Sequence, residues 1–275
     1  KIKKGKETKH IPVLMKRGKN SKIKYTIFNR GEGAWYHEGK IFFATTGDNS
    51  IWAYDISGEK FKIISKYGNW YKIKLHTDNY VGFIIKKKFA HTFKPTHKVS
   101  VLAANIYGKP SSKAKQNKKL TFSSKICAKE KYGSFIKFKN QWIRTKDLKP
   151  INYKDKNIFS KINLFKGRKY KWGGKNFSGV DCSALVQLFF NFNNKSCPRD
   201  TKDQLNYFKK KIKLQNIMKN DLIFWQGHVA IILSKKKLIH AYGPLKKVLI
   251  MNINYAIKRI VKTANLKIIS IRRTN

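Results

Sequence analysis

Across 275 residues the chain carries 62 Lys and Arg against 14 Asp and Glu, a formal net charge of +48. That length supports two or three domains with real cores, and no apolar run approaches the roughly 20 residues of a membrane span. Three cysteines make no disulfide framework, and neither they nor the histidines show zinc-like spacing, so no metal and no cofactor is expected.

The first 57 residues are a β-rich N-terminal segment. Within it, residues 29–43 (Asn29-Arg30-Gly31-Glu32-Gly33-Ala34-Trp35-Tyr36 onward to Phe43) and Gly47-Asp48-Asn49-Ser50-Ile51-Trp52-Ala53-Tyr54-Asp55 resemble one blade of the alkaline-phosphatase-like β-propellers. One blade cannot close a propeller, because each blade buries its faces against its neighbours. These strands therefore either belong to the barrel that follows or are a fused remnant, and no metal role is carried over to Glu32. Residues 58–92 hold strand-like runs at Phe61-Lys62-Ile63-Ile64, Trp70-Tyr71-Lys72-Ile73 and Tyr80-Val81-Gly82-Phe83-Ile84. Residues 96–151 hold more, at Val99–Leu102, Leu120–Phe122, Phe135–Phe138 and Gln141–Ile143, with Cys127 in a further run. Short alternating runs divided by turn residues predict small barrels. Both segments resemble bacterial SH3-like modules.

Next comes Tyr170-Lys171-Trp172-Gly173-Gly174, then Asp181-Cys182-Ser183 opening the apolar run Ala184–Phe190. The run predicts a buried helix with Asp181 as N-cap and Cys182 in the first turn. A helix N-terminus offers unpaired N–H groups and partial positive charge, which favour the thiolate that reacts. Cys182 is thus a candidate nucleophile. Asn220–Leu233 predicts two buried strands either side of Gln226-Gly227, with His228 opening the second, and Lys237–Tyr242 predicts a third that carries His240. Cys182, His228 and His240 form a nucleophile–base–orienter set, the last fixing the ring of His228. Trp172, Trp225 and Phe224 read as core residues. Cys197, beside Pro198, falls in a loop beyond the helix, and a bridge from it to Cys182 would inactivate the thiol.

Tyr-x-Trp-Gly-Gly, Asp-Cys-Ser, Asp-Leu-x-x-Trp-x-Gly-His-Val-x-Ile and His-Ala together resemble the NlpC/P60 cysteine peptidases over residues 157–275, with Arg199-Asp200-Thr201 and Gln204 matching the segment after the catalytic helix. Two positions depart from the family pattern: Ala184 and Asn220 stand where it usually has Gly. The resemblance implies an α+β, papain-like domain, its Cys-bearing helix packed on an antiparallel sheet, preceded by all-β SH3-like barrels. It implies hydrolysis of peptidoglycan stem peptides at the γ-D-glutamyl–diamino acid bond, with Tyr170, Trp172, Asp181 and Ser183 as substrate-binding residues. The alternative is a non-catalytic cell-wall-binding protein with an inert peptidase fold.

The charge points to anionic envelope polymers as partners, although an AT-rich coding bias would also enrich Lys, Ile and Asn. Sequence-specific nucleic-acid recognition is not expected, because Arg is scarce. A monomer is expected, secreted, periplasmic or at the cell envelope. The start at Lys1, without a signal-peptide pattern, fits a mature or trimmed chain; cytoplasmic muropeptide recycling is the other location.

Overall fold

The computed structural model describes residues 33–37, 40–45, 50–55, 61–76, 78–85, 94–114 and 116–274. Residues 1–32, with the start of the propeller-like segment and Glu32, lie outside the described residues. The chain divides into two compact units, Lys1–Phe89 and Ala90–Asn275.

In the first unit, β1 (Gly33–His37), β2 (Lys40–Thr45) and β3 (Ser50–Asp55) form one antiparallel meander. A second meander follows, of β4 (Phe61–Tyr67), β5 (Trp70–Leu75) and β6 (Val81–Ile85), and β1 lies beside β6. Period-two patterning makes β5 a strand: Ile73 and Leu75 are buried while Lys74 faces out. Its hairpin closes through Gly68 at φ +52, the left-handed conformation that a two-residue turn requires.

The second unit begins with a small all-β part. A three-stranded sheet joins β7 (His97–Val99), β10 (Lys125–Ile126) and β14 (Leu148–Pro150). A five-stranded one joins β8 (Ala103–Tyr107), β9 (Gln116–Thr121), β11 (Lys131–Tyr132), β12 (Phe135–Phe138) and β13 (Gln141–Arg144). Val99, Ala104, Ile106, Ile126, Phe138, Ile143 and Leu148 make its core. Cys127 lies just past β10 rather than in a strand, and it is only half-buried.

The remainder is α+β. A short hairpin of β15 (Lys175–Asn176) and β16 (Gly179–Val180) leads into helix α1 (Cys182–Phe192). Helix α2 (Thr201–Tyr207) follows, and an antiparallel sheet comes after it. The sheet consists of β17 (Leu222–Trp225), β18 (His228–Ile232), β19 (Lys237–Tyr242), β20 (Lys247–Asn252) and β21 (Ser270–Arg272), in the order β20-β19-β18-β17-β21. Helix α3 (Ile253–Ala264) links β20 to β21. One sheet face presents Leu222, Phe224, Val229, Ile231, Ile239 and Ala241 to the core that α1 shares. The other presents Ile223, Trp225, Ala230, Ile232, Leu238 and Tyr242 to Ile253, Ala256 and Ile260 of α3. Because strand side chains alternate, His228 and His240 fall on this second face.

Nearly all of α1 is buried, since the all-β part covers the side that the sheet leaves open. Phe122 stacks on Phe192 at 4.6 Å and lies 4.9 Å from Phe189. Lys98, wholly buried on β7, donates through Nζ to the carbonyl oxygens of Phe192 (2.5 Å) and Tyr153 (2.6 Å) and to Asn194 Oδ1 (3.2 Å). Burial pushes its ammonium down to about 8, and nearby Lys125 adds to the shift. The group is a cation at the negative end of the helix that bears Cys182. Lys98→Met should lower stability by about 2 kcal/mol, because it strands these acceptors. A thermal melt with an unchanged midpoint would show that the clamp contributes nothing.

Candidate active site

The loop before α1 is tight for reasons legible in its glycines. Gly173 has φ +66, and a Cβ on Gly174 would lie 2.6 Å from the Gly179 oxygen and 2.8 Å from the Lys171 oxygen. Both positions demand glycine. The loop so formed donates the Gly173 N–H to Asp181 Oδ2 at 2.8 Å, while Asp181 Oδ1 accepts the Ala184 N–H at 2.8 Å and caps α1. Ala184 sits inside the helix as any L residue can, so the departure from Gly there costs no strain. Asn220 has φ +77, which explains why glycine is usual there and why Asn, the side chain most tolerant of that region, replaces it.

Cys182 is the first residue of α1 and only 7% exposed. Its thiol donates to the Gly227 oxygen at 3.9 Å and lies 4.0 Å from Thr201 Oγ1, while the Val229 N–H points at the sulfur. Gly227 and Val229 flank His228, so the helix end meets the start of β18 beside that histidine. Gly227 itself has φ +68 and makes the turn that brings His228 there. Among the described residues no hydrogen bond joins the thiol to the His228 ring. His228 Nε2 instead pairs with His240 Nδ1 at 2.9 Å, which leaves Nδ1 as the ring nitrogen outside that pair. Trp225 lies 5.5 Å from the His228 ring, and Tyr242 stacks on His240 at 4.8 Å and 15°. These aromatic walls fix both imidazoles.

The electrostatics correct one expectation. The helix N-terminus was expected to favour a thiolate, yet burial pushes the Cys182 thiol up to about 11, with the adjacent Asp181 carboxylate adding to the rise. Two groups at the same helix end oppose each other, and removal from water outweighs the helix dipole. Burial likewise pushes His228 down to about 4, and holds His240 well below its ordinary value with help from His228. The resting pair is a neutral thiol and a neutral imidazole. Stability should therefore fall as pH drops from about 6.5 to about 4, where the unfolded histidines take up protons that the fold refuses. It should fall again as pH rises from about 9 to about 11, where the unfolded thiol ionises and the folded one does not. Melting temperature measured across pH checks both limbs; a flat alkaline limb would place the thiol in contact with water.

Arg199 is the residue that sequence reasoning left out of the site. It is 7% exposed, and its guanidinium grips Asp181 twice, at 3.0 Å to Oδ1 and 2.6 Å to Oδ2, and reaches Ser183 Oγ at 2.9 Å. Gln204 Nε2 donates to the Ser183 and Pro198 oxygens, both at 2.9 Å. The Arg199-Asp200-Thr201 signature was the available signal for this network. Asp181 and Ser183, 6% and 5% exposed, are turned into it, so neither is presented to a substrate with a free polar atom. Trp172 is the opposite case. At 55% exposed it is not core, because the loop's glycines swing it outward, whereas Trp225 and Phe224 are fully interior. Tyr170 is half-buried, its ring 3.4 Å from where a Gly243 Cβ would stand. Cys127, Cys182 and Cys197 are all unbridged. Among the described residues no group of three or more His, Cys, Asp or Glu is gathered as a metal set.

Residues 167–264, which span the glycine loop, α1 and both histidines, match the NlpC/P60 family. That part of the chain is an NlpC/P60 domain. It is 36% identical over 72 residues to Dipeptidyl-peptidase 6 of Lysinibacillus sphaericus, which is 26% of this chain and 27% of that protein. It is 32% identical over 90 residues to a probable endopeptidase NlpC homolog of Haemophilus influenzae, covering 32% of this chain and 49% of that protein. The chain thus spans about a quarter and about half of the curated relatives that it matches. A solved NlpC/P60 family protein from Bacillus cereus ATCC 10987 superposes with a TM-score of 0.62 at 20% identity, over 78% of this chain and 79% of that one. That likeness is one of fold.

Proposed function

We propose that the chain is a cysteine peptidase that cuts peptidoglycan stem peptides at the γ-D-glutamyl–diamino acid amide. The observation that carries this reading is the meeting of Cys182, at the start of α1, with the opening of β18, where His228 is held by His240 at 2.9 Å. The curated relatives, named as peptidases, support it.

In this mechanism the Cys182 side chain turns from the Gly227 carbonyl toward His228. His228 Nδ1 takes the thiol proton as sulfur attacks the amide carbonyl carbon. The Cys182 N–H, at the helix N-terminus, steadies the oxyanion. His228 then gives the proton to the departing amine, leaving a thioester that water hydrolyses with His228 again as base. His240 Nδ1 accepts the N–H at Nε2 of His228, which leaves His228 Nδ1 bare to act as base and keeps the ring in place. Because Arg199 neutralises Asp181, we assign Asp181 and Ser183 to positioning Cys182, and Tyr170 and Trp172 to the substrate side. The β-rich parts at 58–92 and 96–151 are read as SH3-like modules. The inert-fold alternative rests on the buried neutral thiol. Mass spectrometry of muropeptides treated with the full chain separates the two: new fragments ending in D-glutamate support the peptidase, and intact stems overturn it.

The surplus of Lys is assigned to encounter with anionic wall polymer at the cell envelope. Exposed charges are screened over about 8 Å at physiological salt. Raising salt should therefore weaken binding to sacculi strongly while changing turnover of a small tetrapeptide little. Equal salt responses of the two would place the charge effect at the active site instead.

A further inference from the structure

Burial pushes His228 and His240 toward their neutral forms, yet their pair must carry a positive charge while His228 holds the thiol's proton. Among the described residues no hydrogen bond or ion pair joins a carboxylate to either ring. Asp181, beside Cys182 at the start of α1, is held by Arg199. On the sheet face that carries the histidines, α3 presents Ile253, Ala256 and Ile260, which are apolar. Nor does His240 pass the charge on. With Nδ1 accepting from His228, its Nε2 carries the hydrogen into a buried position that has no acceptor.

What the pair does touch is aromatic. Tyr242 lies over His240 with ring centroids 4.8 Å apart and planes 15° from parallel, and its ring is 5.9 Å from that of His228. Trp225 stands 5.5 Å from His228 but is tilted by 40°, so it presents less of its face. An aromatic face carries partial negative charge, and a cation within about 6 Å of it is stabilised, most strongly where water is excluded. Tyr242 is buried and is anchored from α3. Thr263 Oγ1 gives its proton to the Arg259 oxygen at 2.9 Å, so the Tyr242 hydroxyl donates to Thr263 Oγ1, also at 2.9 Å. That tether fixes how the phenol lies on His240.

We propose that Tyr242 is a positioning residue whose ring face stabilises the positive charge on the His228–His240 pair. It acts through the imidazoles rather than on the substrate, and it takes the place of the anion that the pair lacks. Holding a ring by shape and stabilising its charge are separate jobs, and the near-parallel stack suits Tyr242 to both. The assignment rests on the reading of Cys182 and His228 as the reacting pair.

The test parts ring shape from ring charge with two replacements that keep the packing, each in the full chain. Tyr242→Phe retains the negative face and loses only the Thr263 bond. Tyr242→pentafluorophenylalanine retains the shape and reverses the charge of the face. The first readout is the rate at which iodoacetamide alkylates Cys182 at pH 7, located by peptide mass mapping. That reaction needs the thiol proton to pass to His228 but needs no substrate. Tyr242→Phe should stay within about three-fold of the parent, and the fluorinated chain should be slower by about ten-fold or more. Toward pH 11, where the thiol ionises unaided, the gap should close. Turnover of the stem peptide should show the same loss in kcat with KM unchanged. Alkylation of the fluorinated chain as fast as that of Tyr242→Phe, or faster, would overturn the proposal and leave the ring a role in shape alone. A stem peptide left intact by the parent chain would count against the peptidase reading instead, and the alkylation ratio would still decide on Tyr242.

Discussion

Cys182→Ala is expected to abolish amide hydrolysis, a loss on the order of 10³-fold or more, while the folded chain persists. The sulfur lies at a helix N-terminus and against the backbone around His228. The oxyanion donor and the His228–His240 pair survive the change, so binding of the stem peptide should be retained. The same variant should lose the alkaline fall in melting temperature between about pH 9 and about pH 11, because that limb belongs to the buried thiol. Stem-peptide turnover followed by chromatography, beside a pH series of melts, reads both effects. Turnover retained in the variant would remove Cys182 from the chemistry.

Arg199→Met should be the most damaging single change to the fold around the site. It leaves the Asp181 carboxylate buried without its cation, a type of loss that costs about 3–5 kcal/mol. Asp181 also caps α1 and fixes the Gly173 loop, so the loss reaches Cys182 and the exposed Trp172 together. Arg199→Lys should not rescue it, because an ammonium cannot match the two-pronged grip at 3.0 Å and 2.6 Å. The pair Asp181→Asn with Arg199→Met should recover much of the stability, since no charge is then stranded. Denaturant unfolding of the three variants decides it. A single Arg199→Met chain as stable as the parent would make the ion pair dispensable.

Much of the site was legible because its signals are local. Asp181, followed by helix formers and apolar residues, marks the start of α1. The β-branched runs around Gln226-Gly227 mark β17 and β18, and the run through His240 marks β19 from Lys237 to Tyr242. The glycine loop could be read as a turn, and its two positions do require glycine. Trp172 was misread as core because an aromatic residue carries the same signal whether a loop turns it inward or outward. The thiol's protonation state was misread for a related reason: the helix dipole is visible in the sequence, but the burial that overrides it is not.

From the sequence alone came the order of the elements, the cap, and the positions of the cysteine and two histidines proposed to react, since hydrogen-bonding turns and periodicity depend on neighbours a few residues apart. Only the tertiary structure decided which groups meet. Arg199 reaches Asp181 across 18 residues of chain, and Lys98 reaches the Phe192 carbonyl across 94. Charge burial is settled by such distant partners, because the dielectric around a group depends on everything packed against it. That is why the residues proposed to react could be named from the chain, while their ionisation and their supports could not.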